Sequence, residues 1–251
     1  MRIFSTLITS LFVCCTAVAA DGTLLVVNRT GGSISLVDLP TETELARLPI
    51  GPIIPHEIAT SPDGRWAVTS EYGTGANPGQ YLIVIDVAAA EIVSRIDLGP
   101  NSRPHSMVFL SDGRHVVVTM ELSDTLALVD IVDNAIVRTW PTGGLDSHMV
   151  RLSPDDSRAY VAARGGAGTL SVVWLDQDRP PTVITTGRGA EGIAVAPDGG
   201  EIWIANRDDQ TLTVVDAESL EIIATLDVPP TNRVEFLPNG QAVVPGGASA
   251  D

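Results

Sequence analysis

The sequence predicts an all-β fold, a β-propeller of four-stranded antiparallel blades. A turn of the type x-Pro-Asp-Gly recurs five times, and its Asp or Asn residues lie 49, 43, 43 and 41 positions apart. A period of about 40 to 45 residues is typical of a propeller blade. The runs between the turns are short and β-branched, without a sustained helical period. The turn residues at the Asp or Asn position are Asp63, Asp112, Asp155, Asp198 and Asn239.

Each repeat is predicted to contain four strands, here named A to D in chain order. In the repeat that begins at His56, we place A at 56–60, B at 66–70, C at 81–86 and D at 91–98. Strand C ends on an Asp in every copy, where a carboxylate accepts backbone N–H groups and closes the turn into D. We interpret these carboxylates as structural. They are Asp38, Asp86, Asp130, Asp176 and Asp216.

Several short motifs are shared with one family of propellers. Val26-Val27-Asn28 and Ile204-Ala205-Asn206 match its strand B, and Pro55-His56 and Pro104-His105 match the pair that precedes the turn. On these motifs the chain resembles the YVTN or YncE-like repeat proteins, which have WD40-like blades. The resemblance implies one exported propeller domain over 21–251. That family includes binding proteins, surface-layer components and relatives of redox enzymes, so the resemblance implies no single activity.

The number of blades is a separate question. Five B-C-D sets begin at Thr23, and the last of five A strands is predicted at 232–237. That strand can close a five-bladed ring, but 241–244 has the pattern of another B strand. Members of the resembled family commonly have seven blades. We therefore expect five repeats plus the start of a further one, in a chain truncated relative to a seven-bladed propeller.

The N-terminus predicts export. Arg2 precedes an apolar run, and small residues at 17–20 supply a cleavage site, so 1–20 has the pattern of a signal peptide. Both cysteines, Cys14 and Cys15, fall inside it. The mature chain then has no disulfide, no thiolate metal site and no covalent haem. We expect a periplasmic or cell-surface protein without a membrane span in the mature chain.

The charge of the chain restricts its partners. All 15 basic residues are Arg, against 31 acidic residues, and the net charge is −16. This disfavours nucleic acids and anionic membranes. It favours a protein partner, a small polar or cationic ligand, or a divalent metal, although an acidic surface also serves solubility alone.

Aligning the repeats on the turn reveals one column of polar residues, seven positions before each turn Asp or Asn. The column consists of His56, His105, His148, Glu191 and Asn232. Strand A is innermost, so these side chains are expected to converge at the channel mouth, on the face that carries the D-to-A and B-to-C loops. Imidazole and carboxylate suit zinc or copper, and His56, His105, His148 and Glu191 form a candidate metal site. In the alternative interpretation, the histidines bond the backbone of the neighbouring blade.

A second set of residues surrounds this column, at the ends of the B strands and beside the column itself. Arg29 occupies the corresponding position in the first repeat, and His115, at the start of a B strand, is interpreted as structural. The candidate ligand-binding residues are Glu57, Glu71, Tyr72, Glu121, Arg164, Arg207 and Arg233.

The sequence contains no motif that assigns a reaction. A Gly-x-Ser-x-Gly elbow, a phosphate-binding loop and a His-Glu-x-x-His helix are all absent from it. We expect a binding or scaffold protein that uses the loop-bearing face, with no catalysis asserted. Two alternatives remain open: a metal-dependent hydrolase or lyase of lactonase type with a His/Glu site, and a propeller subunit that docks a periplasmic redox partner.

Overall fold

The computed structural model describes residues 22–100 and 102–246. The predicted signal peptide over 1–20, with both cysteines, lies outside the described residues. Throughout the described part the chain forms strands, turns and loops without any helix, and hence without a helix that is long and apolar enough to cross a membrane.

The described residues contain 21 strands in six antiparallel sheets, which form successive blades of a β-propeller. Blade 1 consists of β1 (Thr23–Asn28), β2 (Ser33–Asp38) and β3 (Thr43–Pro49). Blade 2 consists of β4 (Pro55–Thr60), β5 (Trp66–Glu71), β6 (Tyr81–Asp86) and β7 (Glu91–Asp97). Blade 3 consists of β8 (Pro104–Phe109), β9 (His115–Met120), β10 (Thr125–Asp130) and β11 (Ala135–Pro141).

The second half of the chain continues the same arrangement. Blade 4 consists of β12 (Ser147–Leu152), β13 (Arg158–Ala163), β14 (Thr169–Trp174) and β15 (Thr182–Thr185). Blade 5 consists of β16 (Ala190–Val195), β17 (Glu201–Asn206), β18 (Thr211–Asp216) and β19 (Ile222–Asp227). Blade 6 consists of β20 (Glu235–Phe236) and β21 (Ala242–Val243).

The predicted A-B-C-D order is confirmed in blades 2 to 5, where each strand pairs with the next along the chain. Some predicted bounds were too long. Leu98 lies beyond β7, and the A strand predicted at 232–237 is reduced to β20. Within the described residues β20 pairs with β21, while β1 pairs with β2 alone. The last A strand therefore does not join the first B-C-D set.

The core of the protein lies between neighbouring blades. Strand B is buried on both faces in blades 2 to 4, and the layer between blades 2 and 3 includes Val84, Ile96, Met107 and Val118. Burying one such side chain contributes about 1.5 to 3 kcal/mol. These layers hold the innermost strands β4, β8, β12, β16 and β20 side by side and so fix the geometry of the channel that they line.

The repeated carboxylates close turns, as predicted. In the first Pro-Asp-Gly turn, Asp63 Oδ1 accepts the N–H of Arg65 at 3.0 Å. At the end of strand C, Asp86 Oδ1 accepts the N–H of Ala89 at 2.9 Å and Asp216 Oδ1 accepts that of Ser219 at 2.7 Å. These groups stabilise the scaffold on this face, and the candidate site residues lie on the opposite face.

Candidate functional site

Four of the five column residues lie in β-bulges at the start of the innermost strands, and Asn232 precedes β20. In each of blades 2 to 5 the register between strands A and B shifts at this point, so the column residue has no direct partner on strand B. The shifts fall between Pro55 and Ile58, Pro104 and Met107, Ser147 and Met149, and Ala190 and Gly192. A bulge redirects a side chain out of the regular alternation of a strand, which brings equivalent residues of successive blades together.

The rings of three column residues and one tyrosine are in contact at the channel mouth. The ring centroids of His56 and His105 are 4.7 Å apart, and those of His105 and His148 are 3.7 Å apart. Tyr72 stacks on His56 at 4.8 Å and meets His105 edge-on at 5.1 Å. The predicted convergence of the three histidines is thus seen in the structure.

His105 is the most deeply placed of these rings, with no exposed surface. Its Nδ1 lies 3.1 Å from the carbonyl oxygen of His148. Since a carbonyl only accepts, Nδ1 carries the proton and Nε2 of the neutral ring has a free lone pair. Burial, with the nearby His148 and His56, holds the pKa of His105 well below its usual value. Nε2 is buried and has no hydrogen-bond partner among the described residues.

Glu121 is the centre of a buried hydrogen-bond network and is 3% exposed. Its Oε1 accepts from His148 Nδ1 at 2.6 Å and from Arg164 Nη2 at 3.1 Å. Its Oε2 accepts from the Tyr72 hydroxyl at 2.9 Å and lies 3.5 Å from Arg103 Nη1. Burial and the adjacent Glu121 raise the pKa of Tyr72 to about 12. Both oxygens of Glu121 are therefore already engaged, and it orients the surrounding groups.

Glu191 and Glu57 form two further ion pairs at the mouth. Glu191 Oε1 lies 3.5 Å from His148 Nε2, and its Oε2 accepts from Arg207 Nη1 at 2.7 Å. Although burial opposes it, the contact with His148 and the charges of His148 and Arg207 lower the pKa of Glu191. Glu57 Oε1 accepts from Arg233 Nη2 at 2.7 Å, which leaves its second oxygen available.

Two sets of residues have ligand-type atoms close enough to hold one metal ion. The first is His56, Glu57 and His105, and the second is His105, Glu121 and His148, each with its atoms within 4.8 Å of one another. Ligand atoms on a shared ion are about 3 to 4 Å apart, so small rotations complete either set. The predicted four-residue set is thus divided: His56 and His105 share a set with Glu57, whereas Glu191 faces His148.

The first set fits a metal better than the second. Glu121 is saturated by hydrogen bonds, whereas His56 makes no side-chain hydrogen bond within the described part of the chain. Burial, with the positive charges of Arg29, His148 and Arg233, lowers the pKa of His56 to about 4. At neutral pH both His56 and His105 are therefore neutral imidazoles, which is the form that binds a metal.

Not all of the other predicted site residues lie at the channel mouth. Tyr72, Glu121, Arg164, Arg207 and Arg233 all join the networks around the mouth, as described above. Glu71 does not, because it is buried and pairs with Arg95 of the outer strand β7; burial raises its pKa despite that partner. His115 bonds Asp112 at 2.6 Å beside the Pro-Asp-Gly turn, which agrees with its structural interpretation.

Arg103 is a member of the site that the sequence did not predict. Its guanidinium carbon lies 4.2 Å from the centroid of the Tyr72 ring. The backbone φ of Arg103 is 44°. Asp146 and Gly189 have the same left-handed conformation, with φ of 59° and 68°. All three stand two positions before a column residue, so the alignment that selected the column also contains this position.

The B-to-C loop of blade 2 holds Tyr72 in place. The N–H groups of Tyr72 and Gly73 both bond the carbonyl of Ile54 at 3.0 Å, and Gly79 N–H bonds that of Tyr72 at 3.1 Å. A Cβ at Gly79 would lie 1.6 Å from the carbonyl oxygen of Glu71. Only glycine fits there, and this close approach folds the loop over the tyrosine.

Comparison with known proteins supports the fold and does not identify a family. No protein-family model and no curated protein matches the chain. Among solved structures it is similar to one titled Kuenenia stuttgartiensis Hydrazine Synthase, with 14% identity, a TM-score of 0.63, and coverage of 94% of this chain and 99% of that chain. At this identity the likeness concerns the architecture alone, which is that of a β-propeller. The function of a propeller has to be argued from its own site.

Proposed function

We propose that this chain is an exported, YVTN-like binding protein that holds a transition-metal ion at its channel mouth through His56, Glu57 and His105. The observation that carries the proposal is the buried, unpartnered Nε2 of His105. Burying a polar atom without a partner costs about 1 to 3 kcal/mol, and a metal ion at this place removes that cost.

The surroundings of His105 support a metal rather than a water-filled defect. Metal-bound histidines usually donate their second ring N–H to a carbonyl or carboxylate, which fixes the tautomer. His105 makes that bond to the carbonyl of His148, which also accepts from the Thr119 hydroxyl at 2.7 Å. The same contact links blades 3 and 4, so the ring serves the scaffold through Nδ1 and leaves Nε2 for a ligand.

The ligand types indicate which metals to expect. Two imidazoles and one carboxylate are a known zinc set, and imidazole also suits copper. The described residues offer no third imidazole nitrogen to this ion, because both nitrogens of His148 face carboxylates. We therefore propose zinc or copper with three protein ligands.

Metal analysis of the natively purified, signal-cleaved protein tests this proposal. We expect close to one equivalent of zinc or copper, which His56→Gln and Glu57→Gln bind at least tenfold more weakly. His115→Gln is the matched control, since His115 lies on the opposite face. Circular dichroism verifies that each variant is folded. Wild-type protein that neither carries a metal nor binds added Zn²⁺ or Cu²⁺ contradicts the proposal.

Export is tested separately. The N-terminal pattern supports cleavage after residue 19 or 20, and intact mass spectrometry of periplasmic protein measures the mature mass. A protein that retains 1–20 in the cytoplasm contradicts this part of the proposal alone.

Metal-dependent hydrolysis is the second candidate function. It is favoured by the three-ligand set, because catalytic zinc sites keep a position open for water. The zinc-loaded protein should then hydrolyse a lactone probe, and Glu57→Gln should lose the activity. Equal rates for loaded and metal-free protein exclude this candidate without affecting metal binding.

A further inference from the structure

One third of the arginines of this acidic protein lie around the channel mouth. The net charge is −16, yet five of the 15 basic residues surround the histidine cluster. They are Arg29, Arg103, Arg164, Arg207 and Arg233. Four of them pair with Glu121, Glu191 or Glu57 at 2.7 to 3.5 Å. Arg29 is exposed, and it forms no ion pair with any residue that the structure describes.

The repeat predicts that Arg29 lies near His56, because β1 neighbours β4. In blades 2 and 3, the residue that follows strand B contacts the column residue of the next blade, whereas in blade 5 Arg207 pairs with Glu191 of its own blade. Tyr72 meets His105 with ring centroids 5.1 Å apart, and Glu121 Oε1 lies 2.6 Å from His148 Nδ1. Arg29 follows β1 in the same way, and the next column residue is His56. The effect of Arg29 on the pKa of His56 agrees with this placement.

The charges around the proposed ion are unbalanced. A divalent ion adds two positive charges, and both imidazoles are neutral. Glu57 is the one carboxylate of the set, and Arg233 already neutralises it at 2.7 Å. Arg29, which is exposed, adds a further positive charge. A cation site with this surplus attracts an anion to its free coordination positions.

We infer that the channel mouth binds a small carboxylate anion between the metal ion and Arg29, an inference that rests on the proposed metal centre. A carboxylate has two coplanar oxygens, and the planar fork of a guanidinium matches that shape. One oxygen is left to coordinate the metal while the other accepts from Arg29. The anion thus completes the coordination shell and pairs the free guanidinium.

Cobalt substitution with acetate as the probe tests this inference. The protein is loaded with Co²⁺, whose visible spectrum reports its ligands, and is titrated with acetate in chloride-free buffer. We expect a saturable spectral change. In Arg29→Met we expect acetate affinity to fall about tenfold or more, with Co²⁺ stoichiometry unchanged. Arg47→Met is the matched control, because Arg47 pairs with Glu44 at 2.9 Å on the outer strand β3, and it should behave as wild type.

The possible outcomes separate the two proposals. Bound Co²⁺ whose spectrum does not respond to acetate overturns the carboxylate site and leaves the metal centre standing. Equal acetate affinity in Arg29→Met and Arg47→Met also overturns it, and a response to phosphate but not to acetate overturns the choice of anion. A wild-type protein that binds neither Co²⁺ nor Zn²⁺ overturns the metal centre, and the inference falls with it.

Discussion

Removal of the Glu121 carboxylate is expected to destabilise the propeller more than any change of an exposed charge. This carboxylate is 3% exposed and joins blades 3 and 4 to the loop of blade 2. Its oxygens accept from Tyr72, His148 and Arg164 at 2.9, 2.6 and 3.1 Å. In Glu121→Ala these three donors lose their acceptor in a place that water does not reach freely.

The magnitude follows from the number of contacts and their burial. Breaking a buried ion pair by removing one partner costs about 3 to 5 kcal/mol. For a chain of this size that corresponds to a fall in Tm of roughly 6 to 20 °C. Glu121→Gln keeps the volume and one acceptor oxygen, so it should cost less, about 1.5 to 3 kcal/mol.

Urea denaturation of metal-free protein at pH 7 measures these losses. Asp178→Asn is the matched control, since Asp178 pairs with Arg138 in solvent at 3.0 Å and should change stability by less than about 1 kcal/mol. A double-mutant cycle with Tyr72→Phe isolates the hydroxyl bond and should give a coupling energy of about 0.5 to 3 kcal/mol. A loss below about 1 kcal/mol in Glu121→Ala would refute the assignment of Glu121 as the centre of the network.

Three further predictions concern pH, the loop and the first blade. The metal-free protein should lose stability as the pH falls from about 6.5 to about 4. His56 takes up a proton over this range in the unfolded chain but not in the folded protein, where its pKa is lowered to about 4. Urea midpoints that stay constant over this range contradict this prediction. Gly79→Ala should cost about 2 kcal/mol or more by thermal melting, whereas Gly75→Ala, where a Cβ would meet open space, should be neutral. Leu24 is 47% exposed on β1, so Leu24→Lys should reduce any self-association seen by sedimentation, and Leu122→Lys, in a turn, should not.

The architecture was predictable because it depends on features that repeat. The turn period and the β-branched runs indicated four-stranded blades, and β4 to β19 form four of them. The last strands were overestimated for a physical reason. An alternating apolar pattern extends over 232–237, but β20 pairs with a two-residue strand alone, and a long strand requires a partner along its whole length.

The site was predictable only in part. The spacing of seven residues selected His56, His105 and His148, and the structure brings their rings together. The spacing contains no information about which hydrogen bonds each ring makes. It grouped Glu191 with the histidines, although Glu191 faces Arg207 and His148, and it did not indicate that Glu57 completes a set with His56 and His105.

The β-bulge explains why Glu57 belongs to this set. In a regular strand, neighbouring side chains point to opposite faces, so His56 and Glu57 would be separated by the sheet. In β4 the register shift leaves His56 and Glu57 opposite the one residue of β5 that lies between Thr69 and Glu71. The alternation of side chains is therefore interrupted. Adjacent residues can then approach the same ion, and a fold that repeats this bulge in four blades needs only a change of residue type at the bulge to acquire a site.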